Sequence, residues 1–283
     1  MTRRPLVLKF GGELLEDPAY LANVVSGIKT LARDAAGLII VHGGGKEIDA
    51  ALKTAGIEKK QIDGLRITDD ATLDVAVAVL AGVINTRFVA ALNTEGVRAV
   101  GLTGADAKVG LSEVAPPHRA AGDQTGRTVD LGRVGIPVAD PGAADTRLLD
   151  TLVSEGFVPV IACIGIGRDG RLLNVNADTL AGHLAARVRA SRLVVAGGTP
   201  GVLDKSGATL TALDAGALAR LVSDGTASAG MIAKLRACEH ALNGGVDDVV
   251  IVDGRKTDAL IAAAVEGSSP MATRIRSHNE SLA

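Results

Sequence analysis

The stretch Asn174-Val175-Asn176-Ala177-Asp178 decides how this 283-residue chain reads. It follows the apolar pair Leu172-Leu173 and opens an Ala-rich helical pattern starting near Thr179. A strand that delivers two amides and a carboxylate to a helix start is built to meet a ligand. Asn and Asp also serve as N-caps, but a cap uses one of the three. Apolar strand patterns alternate with helical patterns on both sides of this stretch. That alternation predicts an α/β fold, a three-layer αβα sandwich around a central, mainly parallel sheet. The stretch divides the chain into an N-terminal lobe, 1–174, and a C-terminal lobe, 175–283.

Toward the N-terminus, Leu6-Val7-Leu8 reads as a buried strand that runs into Lys9-Phe10-Gly11-Gly12. A lysine there is a surface residue or points at an anion. Pro18–Leu31 reads as a helix and Gly37–Val41 as a second buried strand. The latter meets His42-Gly43-Gly44-Gly45 and a helix over Lys46–Ala55. A tight turn needs one or two glycines, so three argue for close approach of a ligand to backbone N–H groups. Gly64-Leu65-Arg66-Ile67-Thr68 reads as a hairpin arm. Ala71–Thr94 is a long apolar helix, interrupted by Asn85 and Arg87, with one face for the sheet and one for another subunit. Short hairpins are expected between Ala105 and Val138, with a mobile loop near Arg119–Gln124. Asp145 is placed to cap a helix that ends at Ser154.

Composition narrows the function. A net charge of -2 gives no electrostatic footprint for nucleic acid or an acidic membrane. With 1% aromatic residues there is no platform on which to stack bases. Cys163 and Cys238 have no Cys or His at metal spacing and read as buried thiols. The apolar run Pro5–Leu8 is too short for a signal peptide, and no run is read as reaching membrane-span length. A soluble cytoplasmic protein is expected.

Three motif matches fail in context. Gly165-x-Gly167-x-x-Gly170 fits a dinucleotide fingerprint by letters, but Leu172-Leu173 reads as a strand where that fingerprint needs a helix. A hairpin turn accounts for it. The His42 glycines match an oxyanion-hole sequence, yet no Gly-x-Ser-x-Gly elbow exists. No P-loop sequence is present.

Taken together, several pieces resemble the amino acid kinase family, nearly end to end. They are Lys9-Phe10-Gly11-Gly12, His42-Gly43-Gly44-Gly45, Gly64-Leu65-Arg66-Ile67-Thr68, Val129-Asp130-Leu131-Gly132 with Val134-Gly135, Asn174-Val175-Asn176-Ala177-Asp178, and Gly230-Met231-Ile232-Ala233-Lys234. The first and last are shared by much of the superfamily. The Gly-Leu-Arg-Ile-Thr and Asn-Val-Asn-Ala-Asp pieces are similar to the branch that acts on N-acetyl-L-glutamate. The resemblance implies phosphorylation of that substrate's side-chain carboxylate to an acyl phosphate, on the route to arginine, with ATP and Mg²⁺. It implies that Lys9 and Lys234 stabilise the transferring phosphoryl group and that Asp178 holds both lysines. Gly44, Gly45, Arg66 and Asn174 would bind the acetylated amino acid. Gly11, Gly12, Gly198, Thr199 and Gly201 would lie along the nucleotide, and no side chain is assigned as a metal ligand. The first lobe would take the acceptor and a homodimer contact, the second ATP.

The chemistry agrees with that implication. A carboxylate acceptor has a pKa of about 4.3 and needs no general base at neutral pH. The obstacle is repulsion between two anions, roughly 1 kcal/mol per pair of unit charges about 4 Å apart in water and several-fold more in a dry site. Two lysines, glycine N–H groups and Mg²⁺ answer it.

The chain also departs from the family pattern. Gly197-Gly198-Thr199-Pro200-Gly201 stands where Thr or Ser followed by Asp is usual. Ala105-Asp106 replaces a Lys-Asp pair, and Gly267–Ile275 is altered. Only eight residues precede Lys9, so an arginine-controlled hexamer is not expected and a plain homodimer is. Rival readings are a sister kinase for carrier-linked aminoadipate or glutamate or for free glutamate or aspartate, a non-catalytic amino-acid sensor, and a purely structural partner-binding protein. Retention of Lys9, Asp178 and Lys234 argues against the sensor. The glycine loops argue against a structural protein.

Overall fold

The computed structural model describes residues 4–34, 37–119, 128–138, 145–204, 206–223 and 229–276. β1 (Leu6–Phe10) leads through α1 (Glu13–Glu16) and α2 (Pro18–Asp34) to β2 (Leu38–His42) and α3 (Gly45–Thr54). The hairpin β3 (Gln61–Ile62) and β4 (Leu65–Arg66) precedes a long helical rod. That rod comprises α4 (Asp70–Val77), a π-helical stretch Ala78–Ile84 and α5 (Asn85–Thr94). β5 (Ala99–Thr103), β6 (Ser112–Val114), β7 (His118–Arg119), β8 (Thr128–Val129) and β9 (Val134–Pro137) follow. Then come α6 (Arg147–Ser154), β10 (Val158–Ala162), β11 (Ile164–Ile166) and β12 (Leu172–Val175). The second half contains α7 (Ala177–Arg187), β13 (Arg192–Gly197), β14 (Val202–Leu203), β15 (Thr209–Leu210) and β16 (Ala212–Asp214). It closes with α8 (Ala215–Ser223), α9 (Ala229–Asn243), β17 (Asp248–Asp253), α10 (Thr257–Val265) and β18 (Ala272–Arg276).

Eight strands form the central sheet in the order β16-β18-β17-β13-β1-β2-β10-β5. Every neighbouring pair from β17 to β5 is parallel; β18 is antiparallel to β17. The inner strands, such as Leu38-Ile39-Ile40-Val41-His42, are buried along their whole length, as parallel strands covered on both faces must be. α9 and α10 both pack on β17, but α10 groups with α2 and α9 with α7 and α8, giving the two helical layers. This is the expected α/β sandwich.

Register positions the site. Lys9 stands beside Val41 and Val195, and Phe10 beside His42 and Ala196. The three strands therefore end level. Gly11-Gly12, Gly43–Gly45 and Gly197-Gly198 leave the sheet side by side at its carboxyl edge, where open α/β sheets bind ligands.

Most local expectations hold, with a few corrections. The Gly165–Gly170 segment is a hairpin turn, with β11 antiparallel to β12. α7 begins at Ala177, two residues before Thr179, because Asn176 takes the cap. Asp145 does accept from the Arg147 N–H at 2.9 Å, but α6 starts at Arg147. The loop expected at Arg119–Gln124 lies outside the described residues beyond Arg119. The short strands β14, β15 and β16 carry no alternation that would have announced them.

One reading of the sequence is overturned. The helical rod Asp70–Thr94 is long and apolar enough to cross a membrane by length and composition. Here Leu80, Ile84, Phe88 and Leu92 are buried in the core, and Phe88 meets Phe10 edge-on at 5.9 Å. The two polar residues that seemed to interrupt the run face partners inside the fold, so they do not mark it as a surface helix.

Candidate active site

A cavity of about 260 Å³ opens at the carboxyl ends of β1 and β2, beneath β4 and beside the end of β12. Lys9, Gly11, Gly12, Gly44, Gly45, Arg66, Asn174 and Asp178 of the sequence-assigned residues all line it. They come from separate parts of the chain and meet because the sheet register and the β12–α7 junction bring them there.

The three polar residues of the opening stretch do three different things. Asn176 is the N-cap, accepting from the N–H groups of Asp178 at 2.9 Å and Thr179 at 3.1 Å. Asn174 donates from Nδ2 to Thr68 Oγ1 at 3.2 Å. Asp178, in the first turn of α7, meets Lys9 Nζ at 2.9 Å, and the two residues are 9% and 7% exposed. Burial works against the Lys9 ammonium, but the Asp178 carboxylate outweighs it and holds the pKa above the ordinary lysine value. Lys9 is therefore a fixed cation. Burial pushes the neighbouring Cys163 thiol up to about 12, so it stays protonated and is no nucleophile.

Arg66 is carried by a tight hairpin. Asp63 and Gly64 both have positive φ, 48° and 78°, as a two-residue turn of the primed type requires. The guanidinium donates from Nη2 to Asp49 Oδ1 at 2.5 Å and to the Gly45 carbonyl at 3.2 Å. Its Nη1 is buried without a hydrogen-bond partner. A fork held on one side and unsatisfied on the other suits a second carboxylate.

The glycines separate by cause. A Cβ on Gly12 would lie 2.6 Å from Gly44 Cα, and one on Gly44 would run into Ile84 and Leu80 of the π-helical stretch. Those two loops are glycine because they pack against each other and against the helix. A Cβ on Gly45 would meet no atom within 4 Å, although Gly45 lines the cavity. Packing does not explain that glycine; a ligand would.

Sequence reasoning missed the support beneath this loop. His42 is fully buried; burial lowers its pKa to about 4, so the ring is neutral. Asn85 Nδ2 donates to His42 Nε2 at 3.0 Å and to the Val160 carbonyl at 2.9 Å. His42 Nδ1–H is then the donor to the Gly43 carbonyl at 3.2 Å. The signal was present: a histidine closing an apolar strand and an asparagine inside an apolar helix.

The second lysine sits differently. A Cβ on Gly197 would lie 3.4 Å from Lys234 Nζ and 3.3 Å from Glu13 Oε1, so both groups reach the end of β13. The expectation that Asp178 holds both lysines is met for Lys9 alone; among the described residues Lys234 makes no ion pair with it. α9 delivers Lys234 toward β13, one strand over from β1. The Gly198 N–H, expected to face a nucleotide, donates to Glu13 Oε1 at 3.1 Å. Gly201 is required by the fold: its φ is 78° and a Cβ would meet the Thr273 backbone at 2.8 Å. Thr199 is exposed and accepts from the Gly201 N–H at 2.9 Å.

Among the described residues no group of three or more His, Cys, Asp or Glu could hold a metal ion by itself. The site is a cradle of backbone N–H groups with cations at its edges. It can hold anions and stabilise negative charge as it moves.

The family model described as the amino acid kinase family matches residues 4–253. The chain is 41% identical to an acetylglutamate kinase of Erythrobacter litoralis, over 91% of this chain and 85% of that protein. It is 40% identical to an acetylglutamate kinase of Novosphingobium aromaticivorans, over 91% of this chain and 86% of that protein. A solved structure of Giardia carbamate kinase shares the fold, with a TM-score of 0.67, 16% identity, and coverage of 98% of this chain and all of that one.

Proposed function

This chain belongs to the amino acid kinase family, and on that premise we propose that it phosphorylates the side-chain carboxylate of N-acetyl-L-glutamate with ATP, in arginine biosynthesis. The observation that carries this reading is the cavity lined by both Lys9 and Arg66. Each is anchored by a carboxylate, and together they offer one cation to a phosphoryl group and one fork to a substrate carboxylate.

In this reading Arg66 Nη1 takes the α-carboxylate, and Asn174 and the open backbone at Gly45 take the rest of the acceptor. The γ-carboxylate, already ionised, then faces Lys9. Lys9 neutralises oxygen charge on the phosphoryl group, and Asp178 keeps the ammonium aimed and charged. Gly12 gives its N–H group to the phosphates, beside Gly11, whose own N–H is taken by the Ala196 carbonyl at 3.0 Å; Gly44 shapes the loop, and Lys234 reaches from α9 to the end of β13 to meet the leaving oxygen. Gly198, Thr199 and Gly201 border the nucleotide. Mg²⁺, when bound with ATP, supplies further charge neutralisation between the phosphates. The first half, 1–174, holds the acceptor, and the second, 175–283, the nucleotide. A homodimer in the cytoplasm follows, closing over the outer face of the Asp70–Thr94 rod, where Val83 is 53% exposed. No nucleic acid or membrane partner is invoked.

A coupled assay tests the activity with free N-acetyl-L-glutamate, glutamate and aspartate, trapping acyl phosphate with hydroxylamine. Hydroxamate should form from N-acetyl-L-glutamate far faster than from the other two. Preference for free glutamate or aspartate would move the protein to a sister activity.

A further inference from the structure

Among the described residues, Glu13 is the one charged side chain lining the cavity that the phosphoryl-transfer reading leaves without a part. It starts the single-turn helix after Gly11-Gly12 and is half-buried. Its carboxylate fills the space in front of Gly11, accepts the Gly198 N–H at 3.1 Å, and lies beside Lys234 Nζ at Gly197. It also lines both the main cavity and the recess on the far side of Gly198. Its field reaches Lys9, whose ammonium it favours after Asp178. Among the described residues Oε2 makes no hydrogen bond. An acidic group therefore stands near two lysines, in a cradle whose other carboxylate, Asp178, is already paired with Lys9.

A carboxylate in that place repels a bare polyphosphate. Like charges at close range repel, and more strongly when water is excluded. The same carboxylate is an asset once a divalent cation lies between it and the phosphates, since Mg²⁺ is held by one or two carboxylates together with substrate phosphate oxygens. The other carboxylate in the cavity, Asp178, is committed to Lys9. The donor set thus fits the ion on one side chain only.

We propose that Glu13 is the protein's metal-facing carboxylate, and that it admits the nucleotide as its divalent-cation complex while turning away the metal-free form. This rests on the kinase reading and adds to it a residue that sorts the two forms of the donor substrate. Glu13 acts on the ion and the phosphates, with no part in proton transfer.

The test is nucleotide affinity, measured by calorimetry on the full chain with ADP, once in excess Mg²⁺ and once in EDTA, for wild type and Glu13→Gln. Glutamine keeps the shape and the acceptor for Gly198 N–H and removes the charge. Wild type should bind at least about tenfold more tightly with Mg²⁺, which corresponds to 1.4 kcal/mol. In Glu13→Gln that ratio should fall several-fold, by weaker binding with Mg²⁺ and tighter binding in EDTA. Glu13→Asp should restore part of the ratio. An unchanged ratio in Glu13→Gln, including equal weakening under both conditions, overturns the proposal and leaves Glu13 a structural brace. Failure of wild type to bind ADP under either condition would instead sink the kinase reading beneath it.

Discussion

The two ends of the cradle are built differently. At the end proposed for the acceptor, the cations Lys9 and Arg66 are each tied to a carboxylate. Lys9 is locked to Asp178, Arg66 to Asp49 and Gly45, and the His42 loop to Asn85 and Val160. At the end proposed for the nucleotide Lys234 has no ion pair among the described residues, and the Gly198 N–H is held by Glu13. One end of the cradle carries paired charges in the fold, and the other carries a lysine without an ion pair among the described residues. The difference follows from register. Lys9 sits inside a strand, flanked by Val41 and Val195, whereas Lys234 projects from a helix toward the next strand's end.

Substitutions at the two lysines probe this contrast most sharply. Lys9→Ala should lower kcat about 10³-fold with little change in acceptor KM, the scale of losing one preorganised charge-stabilising donor. It should also lower the melting temperature, because Asp178 is left buried without its cation. Turnover near wild type would remove Lys9 from the reaction.

Acid should dismantle the acceptor end first. His42 is held neutral, its folded pKa of about 4 lying below the unfolded value of about 6.5. Its contribution is complete above pH 6.5 and is lost as pH falls through the window down to about 4. The shift amounts to on the order of 3 kcal/mol for this buried ring. His183, also lowered to about 4 by burial, His240 and Arg187, adds to the same slope. Chemical denaturation between pH 7 and pH 4 should show stability falling, less steeply in His42→Asn. A flat profile would contradict the buried neutral ring.

Lys234→Ala should cost about 10²-fold in kcat while leaving the melting temperature where it was. A clear loss of stability would mean that this end is as tied as the other. The smallest effects come from adjacent glycines. Gly44→Ala forces a methyl into Ile84 and should destabilise by about 1–3 kcal/mol. Gly45→Ala meets no protein atom, so it should leave stability within about 0.5 kcal/mol and raise acceptor KM. Equal melting curves for the two would erase the distinction between packing and ligand glycines.

Much of this was legible in the chain itself. Apolar runs such as Leu38–Val41 announced parallel strands, and three polar residues over Asn174–Asp178 announced more than a cap. Long-range pairing was not legible. Nothing local says that Asn85 reaches His42, or that a π-helical stretch sets Ile84 against Gly44. Glu13 escaped because a lone carboxylate after two glycines reads as helix-start chemistry until Gly198 is seen beside it. The rod's place on the flank of the sheet was legible in its apolar pattern, while its membrane-span length was overlooked, because length and composition alone do not separate a span from a core helix.

The ladder between β1 and β13 has a mechanical corollary. Five consecutive residue pairs, from Leu6 with Arg192 to Phe10 with Ala196, stitch the first half of the chain to the second along one spine. Prising those halves apart would sever buried backbone bonds worth roughly 1 kcal/mol apiece. The attachments at the rim lie outside that ladder. The β3–β4 arm is one, tethered through the bridge between Thr68 and Gly132.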